Sequence, residues 1–395
     1  MSSNQSHASR YLLTITVSMF FAYMTTGLAM PAIALFVHDA LGLNNIYVGI
    51  AIGTQFVVTL LTRQYAGARS DTLGARSTTR FGMVCCAGSG LFYLFAYLCQ
   101  SQVELAFALL IAGRIVLGFG ESFLVTANLA WGIGLVEPNQ SGKVMSWNGA
   151  AMYGSLAVSA PLGWWLYQYQ GFALLSVVTM GLPLMARLIN RVVPSVPIIA
   201  GKRAAYRTVL KQVLPLGVVL FLQGTGFAVL SAFVVLYFDR LGWHGGGFAL
   251  SAFGLAFVSA RIFLGNVVDK VSGIRVVILS LACETAGLLV LSFAPAFMVG
   301  ILGAALTGLG CSLVFPALGK LVVDRVEAQS RATAIGAFSA FQDVAYGFTA
   351  PLTGIVANAM GYHAVFLICA ICTALGVGLV LRLRAKSQHT ASIVS

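Results

Sequence analysis

Between residues 11 and 383 the chain is a succession of apolar runs separated by short polar turns. A helix rising 1.5 Å per residue needs about twenty residues to cross roughly 30 Å of hydrocarbon. Twelve segments meet that length, near 11–37, 47–66, 79–99, 104–132, 143–168, 170–190, 212–238, 246–266, 275–297, 299–322, 333–358 and 363–383. The thinnest divisions are Gln168-Tyr-Gln-Gly171, between segments 5 and 6, and the turn near Pro295, between segments 9 and 10. Charged residues make up only 9% of the chain and hydrophobic ones 59%. A water-soluble domain carries roughly 25% charged residues, so these charges are too few to cover a soluble surface. The expectation is an all-α polytopic membrane protein with twelve transmembrane helices.

Of the 23 Lys and Arg residues, all but Arg114 and Arg240 fall in the N-terminal tail or at the ends and connections after even-numbered segments. Short basic connections mark the cytoplasmic side, which places both termini there. The same placement accounts for the net charge of +12 without a nucleic-acid partner. The first apolar run is too long for a signal-peptide core and is expected to remain as the first span. Seven cysteines lie in or beside apolar segments without metal-ligand or disulfide spacing, and read as small packing residues.

A second constraint is internal repetition. Arg63-x3-Gly67-x3-Asp71, followed by Gly74 and Arg76, returns 198 residues later as Arg261-x3-Gly265-x3-Asp269, followed by Gly273 and Arg275. Thr26-Gly27 in segment 1 matches Thr225-Gly226 in segment 7, and Gly118-Phe-Gly-Glu121-Ser in segment 4 matches Gly308-Leu-Gly-Cys311-Ser in segment 10. Ala160-Pro161-Leu in segment 5 matches Ala350-Pro351-Leu in segment 11. Six segments per copy give a parallel repeat, whose halves enclose a pathway along the membrane normal. The expected units are a six-helix bundle over 1–189, a basic cytoplasmic linker over 190–211, and a second bundle with a short basic tail over 212–395.

These motifs resemble the major facilitator superfamily over essentially the whole chain. Gly67-x3-Asp71-x2-Gly74-x-Arg76 is similar to that family's loop signature after segment 2, and the copy at Gly265 and Asp269 to its second occurrence. Arg114 before Gly118 resembles the segment-4 arginine motif. Gly149, Gly154, Ala160-Pro161 and Gly163 loosely resemble the exporters' glycine–proline motif, with Ala160 replacing its usual glycine. Gly118-Phe-Gly-Glu-Ser, Ser141-Gly-Lys-Val-Met-Ser-Trp-Asn-Gly149 and Leu313-Val-Phe-Pro-Ala-Leu-Gly319 resemble more closely the bacterial YhhS/YfcJ-type group of sugar or drug efflux permeases. The resemblance implies that Arg63, Gly67, Asp71, Gly74, Arg76, Arg261, Gly265 and Asp269 form a latch closing the cytoplasmic side.

Ionisable residues inside apolar segments are costly unless they face a cavity or a partner. Four stand out: Arg114, Glu121, Glu284 and Asp343. Arg114, Gly118 and Glu121 share one helix face, the two charged residues about 10 Å apart along the axis. They can bridge part of that gap or each pair across helices. Burial favours the neutral form of a carboxylate and a nearby arginine the ionised form. A partner that comes and goes with conformation therefore makes a proton carrier, and Glu121 or Asp343 is expected to carry the proton with Arg114 tuning it. Glu284, in a segment that is peripheral in the resembled family, reads instead as a structural hydrogen-bonding or snorkelling residue. Tyr23, Gln55, Asn128, Trp147, Asn148, Gln223, Gln342 and Tyr346 are candidates to line the substrate cavity, and equally suit interhelical hydrogen bonding.

No G-x4-G-K-[ST] loop, G-x-S-x-G elbow, H-E-x-x-H helix or zinc pattern occurs in the sequence. The chain is therefore expected to be no enzyme and to need neither metal nor cofactor. The function expected is a secondary active transporter of the bacterial inner membrane, a proton-coupled exporter of a sugar or amphipathic drug. A proton-coupled importer is the alternative, and a non-transporting receptor would need an output domain. The expected partners are a small-molecule cargo, protons and the lipid bilayer, with one chain as the functional unit.

Overall fold

The computed structural model describes residues 3–136, 141–197, 206–264, 271–323, 326 and 331–394. Gly265 and Asp269 of the second motif copy, and part of the basic linker, lie outside them. Eleven α-helices occur among the described residues: α1 (Ser3–Leu35), α2 (Asn45–Leu73), α3 (Ala75–Leu98), α4 (Val103–Leu135), α5 (Ser141–Ile189), α6 (Tyr206–Arg240), α7 (Gly247–Leu264), α8 (Gly273–Ser292), α9 (Phe297–Val323), α10 (Arg331–Met360) and α11 (Tyr362–Val394). A π-helical turn, Phe36–Ala40, continues α1, and a 3-10 turn, Asn190–Val192, follows α5. The 49-residue α5 is broken at Gly171, whose φ of 84° only glycine adopts freely. That break falls on the Gln168–Gly171 turn where the sequence divides segments 5 and 6.

Ten of the described helices are long and apolar enough to cross a membrane. The exception is α10, where Ser339, Gln342, Asp343, Thr349 and Thr353 dilute the apolar character. A helix of that composition is suited to protein neighbours on most sides rather than to lipid. In α1 and α6, 83% of the most apolar stretch is buried, against 33–56% in the other spans. These two are the innermost helices.

Helices α1 to α5 pack chiefly with one another, as do α6 to α11, and the two sets meet along α2–α10 and α5–α7. Small residues make those crossings possible, because without a side chain the backbones approach within van der Waals contact. A methyl group at Gly49 would overlap the Ala350 carbonyl, and one at Gly354 would press on Asn45 and Ile46. The same ends are tied by the Asn45 N–H donating to Asn358 Oδ1 at 3.2 Å and Tyr362 Oη donating to Asn45 Oδ1 at 2.8 Å. At the opposite ends of α2 and α10, nothing among the described residues comes within 4 Å of the position a Cβ would take at Gly67 or Gly336. The two helices are thus zipped at the Asn45 end.

If the glycine seam holds the two sets together at that end, Gly49→Val will wedge them apart, since overpacking displaces backbone rather than deforming it. In a cysteine-free background carrying Asn45→Cys and Asn358→Cys, oxidative cross-linking should fall several-fold when Gly49→Val is added. Unchanged yield would remove the seam as a closing contact.

Candidate functional site

Helix α4 supplies the first part of the site. Gly118 lets α4 meet α2 at the Gln55 carbonyl, and Thr59 Oγ1 locks that crossing by donating to the Gly118 carbonyl at 3.0 Å. One turn away, the fully buried Arg114 turns toward α2: Nε donates to the Ala51 carbonyl at 2.7 Å and Nη2 to that of Ile52 at 3.1 Å. Glu121, 5% exposed, accepts a hydrogen bond from Gln55 Nε2 and faces the Tyr23 hydroxyl. Of the two arrangements the sequence allowed, the structure adopts the second. Arg114 and Glu121 form no ion pair; each finds its partner on another helix.

The second part joins the two helix sets. Arg63 Nη2 on α2 stands 2.9 Å from Asp343 Oδ1 and 2.7 Å from Oδ2 on α10, with the arginine side chain 26% and the aspartate 9% exposed. The sequence assigns these residues to separate devices, Arg63 to the latch and Asp343 to the proton site. The fold makes them one contact, and Arg63, not Arg114, is the cation at Asp343.

From Asp343 a polar and aromatic band crosses the interior. Gln342 Nε2 donates to Tyr346 Oη at 2.8 Å, and the Tyr346 and Tyr153 hydroxyls are 3.3 Å apart. Tyr153 stacks on Phe257 with ring centres 3.7 Å apart, and the Arg261 guanidinium lies 5.1 Å from the centre of the Phe257 ring. Arg261 Nε also donates to the Ser312 carbonyl at 3.2 Å. The band therefore draws residues from α10, α5, α7 and α9. Tyr153 was missed as a cavity residue, although it aligns with Asp343 in the repeat, and that alignment was the available signal. Amide and hydroxyl groups beside aromatic faces can hold a polar solute with an apolar side.

The remaining candidates are more dispersed. Asn128 Nδ2 donates to Asn148 Oδ1 at 2.9 Å, while the Trp147 ring carries Lys143 Nζ 5.2 Å from its centre. Gln223 Nε2 reaches Glu284 Oε1 at 3.5 Å rather than the Tyr153 band. Gly74, at φ 85°, makes the turn between α2 and α3. Arg76 Nη2 donates to the Arg191 carbonyl at 3.0 Å, and Arg80, which sequence reasoning passed over, holds the Asn190 side chain and carbonyl. These two arginines brace α3 against the end of α5. Of the described motif residues, Arg63 bridges the two sets, and Asp71 is exposed in the last turn of α2. A cleft of about 590 Å³ lies at the Asn45 end, lined by His38, Asp39, Asp239, Arg240 and His363 among others, away from Glu121 and Asp343.

Two helix sets that meet along a glycine-lined seam, with the Arg63–Asp343 pair between them, have the build of a membrane carrier. The family model described as Major Facilitator Superfamily matches residues 15–246 and 244–393. The chain is 43% identical over 376 residues to an uncharacterized MFS-type transporter of Salmonella typhimurium, covering 95% of this chain and 97% of that one. It is 40% identical over 368 residues to an uncharacterized MFS-type transporter of Burkholderia mallei, covering 93% and 90%. Its fold is similar to that of the Escherichia coli xylose transporter XylE in a partially occluded inward-open conformation, with TM-score 0.77, 13% identity and coverage of 95% and 98%. It is also similar to the nucleoside transporter NupG, with TM-score 0.72, 12% identity and coverage of 94% and 99%. The chain belongs to the major facilitator superfamily and is a transporter.

Because Arg63 and Asp343 share one contact, their substitutions should not add. Arg63→Gln and Asp343→Asn measured singly and together by unfolding in detergent should reveal a coupling on the order of 1–3 kcal/mol. Simple additivity would mean that the pair holds nothing together.

Proposed function

We propose that this transporter is a proton-coupled exporter of a small solute, a sugar or an amphipathic drug, working by alternating access. The observation that carries this reading is the Arg63–Asp343 ion pair, which ties α2 to α10 where the two helix sets meet. Protonating Asp343 cancels its charge and removes the attraction that holds Arg63, so proton binding acts on the contact between the moving parts. Glu121, buried against Gln55 and Tyr23, is the second carboxylate able to carry the proton. Arg114 then acts mainly by fixing α4 on α2. The Tyr153–Tyr346–Gln342 band offers the cargo its hydrogen bonds and aromatic faces.

In this reading the units are 1–189, the linker 190–211, and 212–395. The break at Gly171 gives twelve spans, and both termini are cytoplasmic. The zipped Asn45 end is then the outer one, and the conformation is open toward the cytoplasm, in keeping with the likeness to XylE. Arg63, Gly67, Asp71, Gly74 and Arg76, with Arg261, Gly265 and Asp269, would close the cytoplasmic side when the outer end opens. Salmonella and Burkholderia relatives support an inner-membrane location, and one chain suffices for the pathway. Transport in the opposite direction uses the same parts; Ala160, in place of the exporters' glycine, favours that second reading.

The decisive experiment screens purified protein in proteoliposomes under an imposed pH gradient, against sugars and amphipathic drugs. Any cargo found should lose gradient-driven flux in Glu121→Gln or Asp343→Asn, while both variants remain folded in the membrane. Flux that stays undiminished and pH-dependent in both would refute the coupling. Asp71→Asn should slow turnover more than it weakens equilibrium binding, and the reverse result would discard the latch.

A further inference from the structure

The sequence reads Glu284 as a peripheral structural residue, but its surroundings are those of an internal site. It is fully buried on α8 and points toward α6, where Gln223 Nε2 reaches Oε1 at 3.5 Å and Gly226 leaves room for the carboxylate. Oε2 is enclosed without an N–H or O–H donor. The groups facing it are the Cys311 thiol from α9, the Cys369 thiol from α11 and the Gln223 amide from α6, with Cys283 beside it on its own helix. No Lys, Arg or His nitrogen among the described residues comes within ion-pair distance. An ionised carboxylate alone in such a pocket would be an uncompensated charge in a medium of low dielectric.

A second observation comes from the repeat. Gly118-Phe-Gly-Glu121-Ser on α4 matches Gly308-Leu-Gly-Cys311-Ser on α9, so a thiol replaces the acid there. On the neighbouring helices, Cys85-Cys-Ala-Gly88 follows Arg76 at the spacing with which Glu284-Thr-Ala-Gly287 follows Arg275, so an acid replaces a thiol. The crossings are equivalent in space: Gly120 meets Cys85 and Cys86 across α3–α4, and Gly310 meets Glu284 across α8–α9. Each half of the chain thus buries one carboxylate at the same crossing, beside a glutamine amide and a cysteine, carried on opposite partners of the helix pair.

We propose that Glu284 is a second proton-binding carboxylate, the counterpart in the C-terminal half of Glu121. The proton adds to Oε2, the oxygen without a donor, and leaves from it when α6 moves relative to α8 and water or a cation reaches the pocket. This extends the proton-coupled reading above, but its test uses the proton alone as ligand and needs no knowledge of the cargo.

The full chain, labelled with ¹³C-carboxyl glutamate and held in lipid nanodiscs, is followed by infrared spectroscopy as pH is raised. The expected result is a protonated glutamic-acid carbonyl band that declines with rising pH and is absent from Glu284→Gln, with a separate band absent from Glu121→Gln. Glu284→Gln keeps the shape and an amide in the pocket; if it does not fold by circular dichroism, the loss of the labelled band in Glu284→Asp serves instead. A Glu284 band unchanged up to the alkaline limit of folding would make it a permanently neutral structural acid. A protonated-carbonyl region unaffected by the substitution at every pH would make it permanently ionised. Either result overturns the proposal. A Glu284 band that titrates beside a silent Glu121 would leave this inference standing and remove Glu121 from the coupling scheme.

Discussion

A charge within an apolar bundle survives only with a partner, and in this protein the partners differ in kind. Arg114 donates from Nε and Nη2 to two backbone carbonyls of α2, groups that neither titrate nor move independently of that helix. Asp343 is satisfied by Arg63, on the other side of the seam between the helix sets. Glu121 leans on Gln55 and Tyr23, and Glu284 on Gln223 and a thiol. Only the first is a fixed structural brace. Glu121 and Glu284 rest on side chains of neighbouring helices in their own set, whereas Asp343 is held across the seam where α2 meets α10.

The seam itself explains why such contacts can be remade. Backbones packed through Gly49, Gly53, Gly347 and Gly354 meet along smooth surfaces with little side-chain interdigitation to undo. Surfaces of this kind hold by close approach and release without dragging large side chains through one another. The contact is concentrated at the Asn45 end, and the Gly67 and Gly336 positions at the other end face open space. Rocking about the middle of α2 and α10 would exchange the two, and the Arg63–Asp343 pair and the Tyr153–Tyr346 contact lie between them.

Much of the site was named by sequence, but its pairings were not. A polar residue inside an apolar run is visible because lipid excludes it, so Glu121, Asp343, Arg114 and Gln55 declared themselves as interior groups. Partner choice depends on rotations and crossing points that a linear chain does not carry. The repeat signalled that Arg63 belongs to a motif, yet gave no reason to aim it at Asp343, 280 residues away. Arg80 passed unnoticed because basic residues near span ends are common, and Tyr153 because an aromatic inside an apolar span reads as packing; only the fold distinguishes them. For Glu284 the sequence left a hydrogen-bonding and a snorkelling role open, and the close approach of α6 at Gly226 buries it beside Gln223.

Sequence alone determined that the chain lives in lipid, that it is helical, that its two halves repeat, and that it belongs among carriers. The first three follow from local composition, from runs long enough to cross hydrocarbon, and from spacing that needs no three-dimensional information; the last follows from the resemblance of its motifs to a known family. The tertiary structure alone decided which charge neutralises which and at which end α2 and α10 bring their backbones together. Those outcomes depend on how glycine-lined helices cross, and a crossing brings together residues that the sequence holds hundreds of positions apart.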